Sequence, residues 1–120
     1  MWLTIFEERI KVCVPTGCMN TFRERSLKLG SCAIQYLPGI LRYGDVPELF
    51  GLIAPRPMQL QAGEGDGLIT PAHRDQIDAT VREAYAALGA EDAYHYVLHP
   101  DGHMLRWDLA APFLEQHLTP

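Results

Sequence analysis

Two short apolar runs, Pro57-Met58-Gln59-Leu60-Gln61-Ala62-Gly63 and Ala93-Tyr94-His95-Tyr96-Val97-Leu98-His99, flank a segment with helical periodicity, and each empties into a polar loop. The first leads to Asp66 and the second to Gly102-His103. Between them, after Pro71, the apolar residues Ile77, Val81, Ala84, Tyr85 and Leu88 recur at steps of four, three, one and three, the repeat of one helix face. Gly89 follows as a C-terminal cap. Strand, helix and strand in this order predict parallel pairing, because parallel strands need a long crossover and a helix supplies it. Ligands of open parallel sheets gather at the carboxyl ends of the strands, where Asp66 and His103 both fall.

The remaining chain fills out an α/β domain. Ile10-Lys11-Val12-Cys13-Val14-Pro15 is β-branched and apolar and predicts a further strand, stopped by Pro15 and Gly17. Met1 to Glu7 reads as the end of a helix. From Thr16 to Tyr43, Gly17, Gly30 and Pro38-Gly39 punctuate short apolar groups, which predicts turns and one or two short helices. Pro47 to Ile53 reads as one or two helical turns with Asp45 as N-cap, ended by Pro55 and Pro57. In the last segment Trp107, Ala111, Leu114 and Leu118 share a predicted helix face, with Asp108 as cap and Pro112 in the first turn.

Composition bounds the function. A chain of 120 residues, 48% hydrophobic and 21% charged, with net charge −5, is that of an ordinary globular domain. No Lys/Arg cluster is present to neutralise phosphates, so neither a nucleic acid nor a membrane surface is expected as partner; Arg23, Arg25 and Lys28 have Glu24 among them and read as a solvated face. Three cysteines, Cys13, Cys18 and Cys32, favour a reducing compartment such as the cytoplasm.

Asp66 and His103 suggest a specific chemistry. A carboxylate that accepts the Nδ1 proton of a histidine fixes the tautomer and stabilises the imidazolium formed when Nε2 takes a proton from a nucleophile. Asp101 and Asp75 are alternative acids. His95 and His99 lie four residues apart on a strand, about 13 Å, too far for one zinc ion, so no metal is expected. Arg56, between two prolines, reads as a structural donor to carbonyl groups, His73 as an exposed helix residue, and Trp2 and Trp107 as core.

The chain resembles the C-terminal part of α/β-hydrolases of the dienelactone-hydrolase and acetyl-xylan-esterase-like group. The resemblance rests on Glu8-Arg9-Ile10-Lys11-Val12, Gly17-Cys18-Met19-Asn20-Thr21-Phe22-Arg23, Leu37-Pro38-Gly39-Ile40-Leu41-Arg42-Tyr43-Gly44, Leu52-Ile53-Ala54-Pro55-Arg56-Pro57, Ala62-Gly63-Glu64-Gly65-Asp66 and Gly102-His103. It implies residues 1–120 as a single partial domain of about three parallel strands with flanking helices and an incomplete sheet. It implies Asp66 as triad acid, His103 as general base, a small-molecule ester as substrate, and no cofactor. The serine of that family sits in a G-x-S-x-G elbow, which this sequence lacks; Ser26 and Ser31 are its only serines.

The resemblance therefore implies a chain that starts just downstream of its nucleophile and is inactive alone. A second expectation is a non-catalytic remnant, or a partner that pairs through an exposed sheet edge with a separate N-terminal half or with its own copy. A third is a thiol hydrolase using Cys18, which sits in Thr16-Gly17-Cys18-Met19-Asn20 and not in an elbow. The tract from Asn20 to Tyr43 is placed to wall a substrate cleft.

Overall fold

The computed structural model describes residues 1–27 and 36–118. Lys28, Ser31 and Cys32 lie outside the described residues, as does the side chain of Ser26. Among the described residues five helices, α1 (Trp2–Phe6), α2 (Phe22–Leu27), α3 (Val46–Gly51), α4 (Pro71–Ala87) and α5 (Trp107–Leu118), accompany two strands, β1 (Met58–Gly63) and β2 (Tyr94–His99). Short 3-10 turns stand at Ile40–Arg42 and Glu91–Ala93.

β1 and β2 are parallel and in register from Met58 opposite Tyr94 to Gly63 opposite His99, with α4 as the crossover. β1 is buried along its whole length, and its two faces do different work. Met58, Leu60 and Ala62 join Ile77, Val81 and Tyr85 of α4 and Leu49 and Phe50 of α3 in one apolar core. Gln59 and Gln61 belong to the alternate face and are tied to α5. Gln61 donates to Gln59 Oε1 (2.8 Å) and to the Arg106 carbonyl (3.2 Å) while accepting from the Arg106 N–H (2.9 Å); Gln59 donates to the Leu109 carbonyl (3.2 Å). The two buried amides are thus bonded one to the other and both to the first turn of a helix, which makes their burial tolerable.

The predicted strand at Ile10–Pro15 forms only two isolated parallel bridges to β1, Cys13 with Met58 and Thr16 with Gln61. The reason is Pro15. The Cys13 N–H donates to Pro57 O, Gln59 N–H to Cys13 O, Gln61 N–H to Pro15 O and Gly17 N–H to Gln61 O, each at 2.9–3.1 Å. The one missing rung is the bond from position 15 to Gln59 O, which a proline cannot make, so the ladder splits in two.

Anchoring of α5 by the glutamines also decides which of its faces is inside. Ala110 and Phe113 are buried, whereas Trp107 and Leu118 are 62% and 59% exposed, so the predicted stripe of residues 107, 111, 114 and 118 is not the core face and Trp107 is not a core residue. Pro112 lies inside the helix and not in its first turn, and Asp108 is not its cap but a partner of Arg106 within that turn. Trp2, by contrast, is half-buried and stacks on Phe22 at 6.4 Å between ring centroids.

α3 starts as expected. Asp45 accepts from the Val46 N–H (2.7 Å) and Glu48 returns a bond to the Asp45 N–H (2.8 Å), a reciprocal capping box. The same Asp45 oxygen accepts from the Phe22 N–H at 2.6 Å, so one carboxylate serves the starts of α2 and α3. Arg56 donates to the carbonyls of Glu7 and Ile10 (3.1 and 3.2 Å), the structural role its position predicts.

Burial raises the phenol pKa of Tyr85, and burial together with the Asp78 carboxylate 2.9 Å away raises that of Tyr94. In the unfolded chain these phenols ionise near pH 10. A folded-state pKa raised above the unfolded one gives stability that is complete below about pH 10 and is lost as pH climbs above it. Urea denaturation at increasing pH should show stability falling from about pH 10 upward. The decline should be shallower in Tyr94→Phe, and an unchanged slope in that variant would contradict the linkage.

Candidate functional site

The carboxyl ends of β1 and β2 turn outward side by side. Beyond β1, Glu64 N–H donates to His99 O (2.8 Å) and Gly65 N–H to Asp101 O (3.0 Å), so the acid loop is laced to the loop that follows β2. Asp66 sits in a tight turn in which its carbonyl accepts from Ile69 N–H (3.0 Å) and its Oδ1 from Leu68 N–H (2.9 Å). Asn20 pins the far side of that turn: its Oδ1 accepts from Thr70 N–H (2.9 Å) and its Nδ2 donates to Leu68 O.

One carboxylate oxygen of Asp66 is therefore committed to the backbone, and the other is presented to His103. Asp66 Oδ2 lies 2.7 Å from His103 Nδ1. The carboxylate is 1% exposed and the imidazole 56% exposed, so the Asp66 side chain is sheathed and the His103 ring reaches solvent. A carboxylate oxygen accepts, so the geometry corresponds to the Nδ1–H tautomer, with Nε2 left as the acceptor. Among the described residues no hydroxyl or thiol is hydrogen-bonded to that ring.

Two glycines make room for this pair. Gly17 has φ +66°, and a Cβ on it would stand 2.6 Å from His103 Cε1, so the imidazole lies against bare backbone there. A Cβ on Gly63 would fall onto the carbonyl oxygens of Asp101 and Gly102. From sequence Gly17 reads as the stop of a strand and Gly63 as the end of one, with no sign of the close approach each permits. Asn20 and Gln61 carry no local sequence signal either, because each bonds to partners about 45 to 50 positions away, Gln61 to the backbone of Arg106.

The alternative acids are elsewhere occupied. Asp101 is bound to Arg106 (2.7 Å), and Asp75 is paired with Arg74 on the surface (3.1 Å). His95 is exposed against Phe113, whereas His99 is buried, with both ring nitrogens unbonded and Nδ1 3.6 Å from Asp101 Oδ2. Among the described residues no group of three or more His, Cys, Asp and Glu side chains is placed to hold a metal ion. His73 is half-buried beside Glu24 (4.0 Å), not exposed as its position in α4 predicts.

Burial pushes the Cys18 thiol up to about 11, well away from the thiolate a nucleophile needs at neutral pH. A cavity of about 620 Å³ opens beside α2 and the start of α3, bordered by Thr21, Arg23, Arg42, Tyr43 and His73 among others. Of the described residues between Asn20 and Tyr43, Thr21, Arg23, Glu24, Leu41, Arg42 and Tyr43 line this cavity, and neither Asp66 nor His103 borders it. Among the described residues, no helix is long and apolar enough to cross a membrane.

No family model matches the chain. It is 30% identical over 106 residues to a protein of Bacillus subtilis (strain 168) named "Putative hydrolase YtaP", a match that takes in 85% of this chain and 35% of that protein. Among solved structures it is similar to a carbohydrate esterase family 15 glucuronoyl esterase from Caldicellulosiruptor kristjansonii, with TM-score 0.67, 19% identity, and coverage of 96% of this chain and 39% of that one. It is equally similar to a promiscuous esterase of the same family from a marine bacterial metagenome, with TM-score 0.67, 20% identity, and coverage of 97% and 38%. The chain thus spans a little over a third of the length of each of these three proteins. With its parallel strands, crossover helix and strand-end loops, it carries part of an α/β-hydrolase fold.

Proposed function

We propose that this chain is the acid–base portion of a serine-type carboxylic ester hydrolase, with His103 as general base and acid and Asp66 as its orienting carboxylate. The 2.7 Å contact between a sheathed Asp66 and a solvent-facing His103, at the carboxyl edge of a parallel sheet, carries the reading. The esterases of the same fold support it.

In the complete enzyme a serine hydroxyl gives its proton to His103 Nε2 as its oxygen attacks the ester carbonyl, and Asp66 stabilises the resulting imidazolium. His103 then hands the proton to the departing alcohol. Water repeats the sequence on the acyl-enzyme and frees the acid. The serine and the backbone donors that hold the oxyanion come from outside this chain.

The open edge at Val12–Thr16 suits such a contribution. The N–H and C=O groups of Cys13, Pro15 and Gly17 that do bond face β1, and those of Val12 and Val14 have no backbone partner among the described residues. Leu3 and Phe6 of α1, 70% and 75% exposed, lie nearby in the chain. A strand and helix bearing the nucleophile would pair there. The same edge favours the second reading, a non-catalytic partner that binds another polypeptide; the raised Cys18 thiol tells against a thiol hydrolase.

The test is reconstitution. This chain is co-expressed with the portion of the Bacillus subtilis relative outside the matched 106 residues, and a chromogenic short-chain ester is offered. Turnover should appear only with both polypeptides. A stable complex without turnover would favour the non-catalytic reading, and turnover that persists with His103→Ala would end the catalytic one.

A further inference from the structure

We infer that Arg106 is a positioning residue for His103, a role that rests on the acid–base reading above. His103 lies in the loop between β2 and α5, and the side chain of Arg106 closes that loop by donating from Nη1 to Asp101 Oδ2 at 2.7 Å. Its Nε and Nη2 donate to the two oxygens of Asp108 at 2.9 and 2.7 Å, a bidentate grip that fixes the guanidinium plane.

Both ends of this closed loop are fastened to β1 or to the turn after it, which carries Asp66. At one end the Asp101 carbonyl accepts from Gly65 N–H, next to Asp66. At the other, the backbone N–H and C=O of Arg106 are both bonded to the side chain of Gln61, which is 0% exposed. The guanidinium joins these two anchors across His103. The imidazole is 56% exposed, bonded to Asp66 and set against the bare backbone of Gly17, and the loop's closure sets where the ring stands. Lysine cannot take over fully, because a point charge has no fork with which to engage two carboxylates.

The test reads the ring directly and needs neither a nucleophile nor an ester. In the 15N-labelled chain, at a pH where the ring is neutral, imidazole nitrogen shifts give the tautomer of His103, assigned with His103→Gln. The wild-type ring should be mainly Nδ1–H. In Arg106→Ala the Nε2–H share should rise roughly twofold, the size expected for loss of a half-exposed charge pair. Arg106→Lys should lie between the two.

A purely structural clamp would lower the melting temperature and leave the tautomer unmoved, and that result would overturn the inference. If Arg106→Ala does not fold, Asp101→Asn decides by the same criterion. A changed tautomer beside an inactive reconstituted enzyme would sink the hydrolase reading and leave the positioning role standing. An active enzyme with an unchanged tautomer would do the reverse.

Discussion

Gly63→Ala should destabilise this protein by about 3 kcal/mol or more, out of a total that for a domain of this size is about 5–15 kcal/mol. The added methyl would meet the carbonyl oxygens of Asp101 and Gly102, which are backbone atoms and cannot rotate aside. Either the loop after β2 lifts, breaking the bonds from Glu64 and Gly65 to His99 and Asp101, or β1 shifts against β2. Both routes break backbone hydrogen bonds at this end of the sheet and separate His103 from Asp66. Gly67→Ala is the control, since its Cβ would meet nothing within 4 Å and its φ is not in the left-handed region. That change should leave stability unchanged or slightly raised, because alanine restricts the unfolded chain. Urea denaturation of the two variants side by side decides the matter, and equal midpoints would refute the packing argument.

In the reconstituted enzyme, Asp66→Asn should cut kcat by about ten-thousandfold, with KM little changed. The structure dictates the sign through the other carboxylate oxygen. Oδ1 accepts from the Leu68 N–H, so an asparagine must keep its carbonyl there and turn its NH₂ toward His103. A donor facing Nδ1 forces the proton onto Nε2, and an Nε2–H ring cannot take the serine's proton. The substitution thus preserves shape and inverts the tautomer. Steady-state kinetics with the chromogenic ester measure the effect; a loss smaller than tenfold would mean that Asp66 does not orient the base.

Local sequence rules were enough wherever the deciding interaction was local. The apolar run from Met58 to Gly63, the spacing of Ile77, Val81 and Tyr85, and Asp45 as the cap ahead of Pro47 each lie within one element, and each element forms where its pattern predicts. Asp66 and His103 were legible as neighbours because strand order places loop after loop at one sheet end. What the pattern did not reveal was set across the chain. The inward face of α5 is chosen by two glutamines about 45 to 50 residues upstream, so Trp107, apolar and correctly spaced, still points away from the core. The strand at residues 10–15 has the right side chains and lacks one amide hydrogen at the place where β1 needs it. Gly17 gives no local sign that an imidazole 86 positions later will lie on it, and a glycine in a turn has many other reasons to be there.

Pro15 has one more implication. Sheets guard their outer margins with proline turned toward solvent, where an absent donor deters an incoming chain. Here the defect faces inward and is absorbed by the β1 contact, so the outward margin keeps its full complement of donors and acceptors. The chain has left the welcoming side of that segment unguarded, in the orientation that invites strand addition.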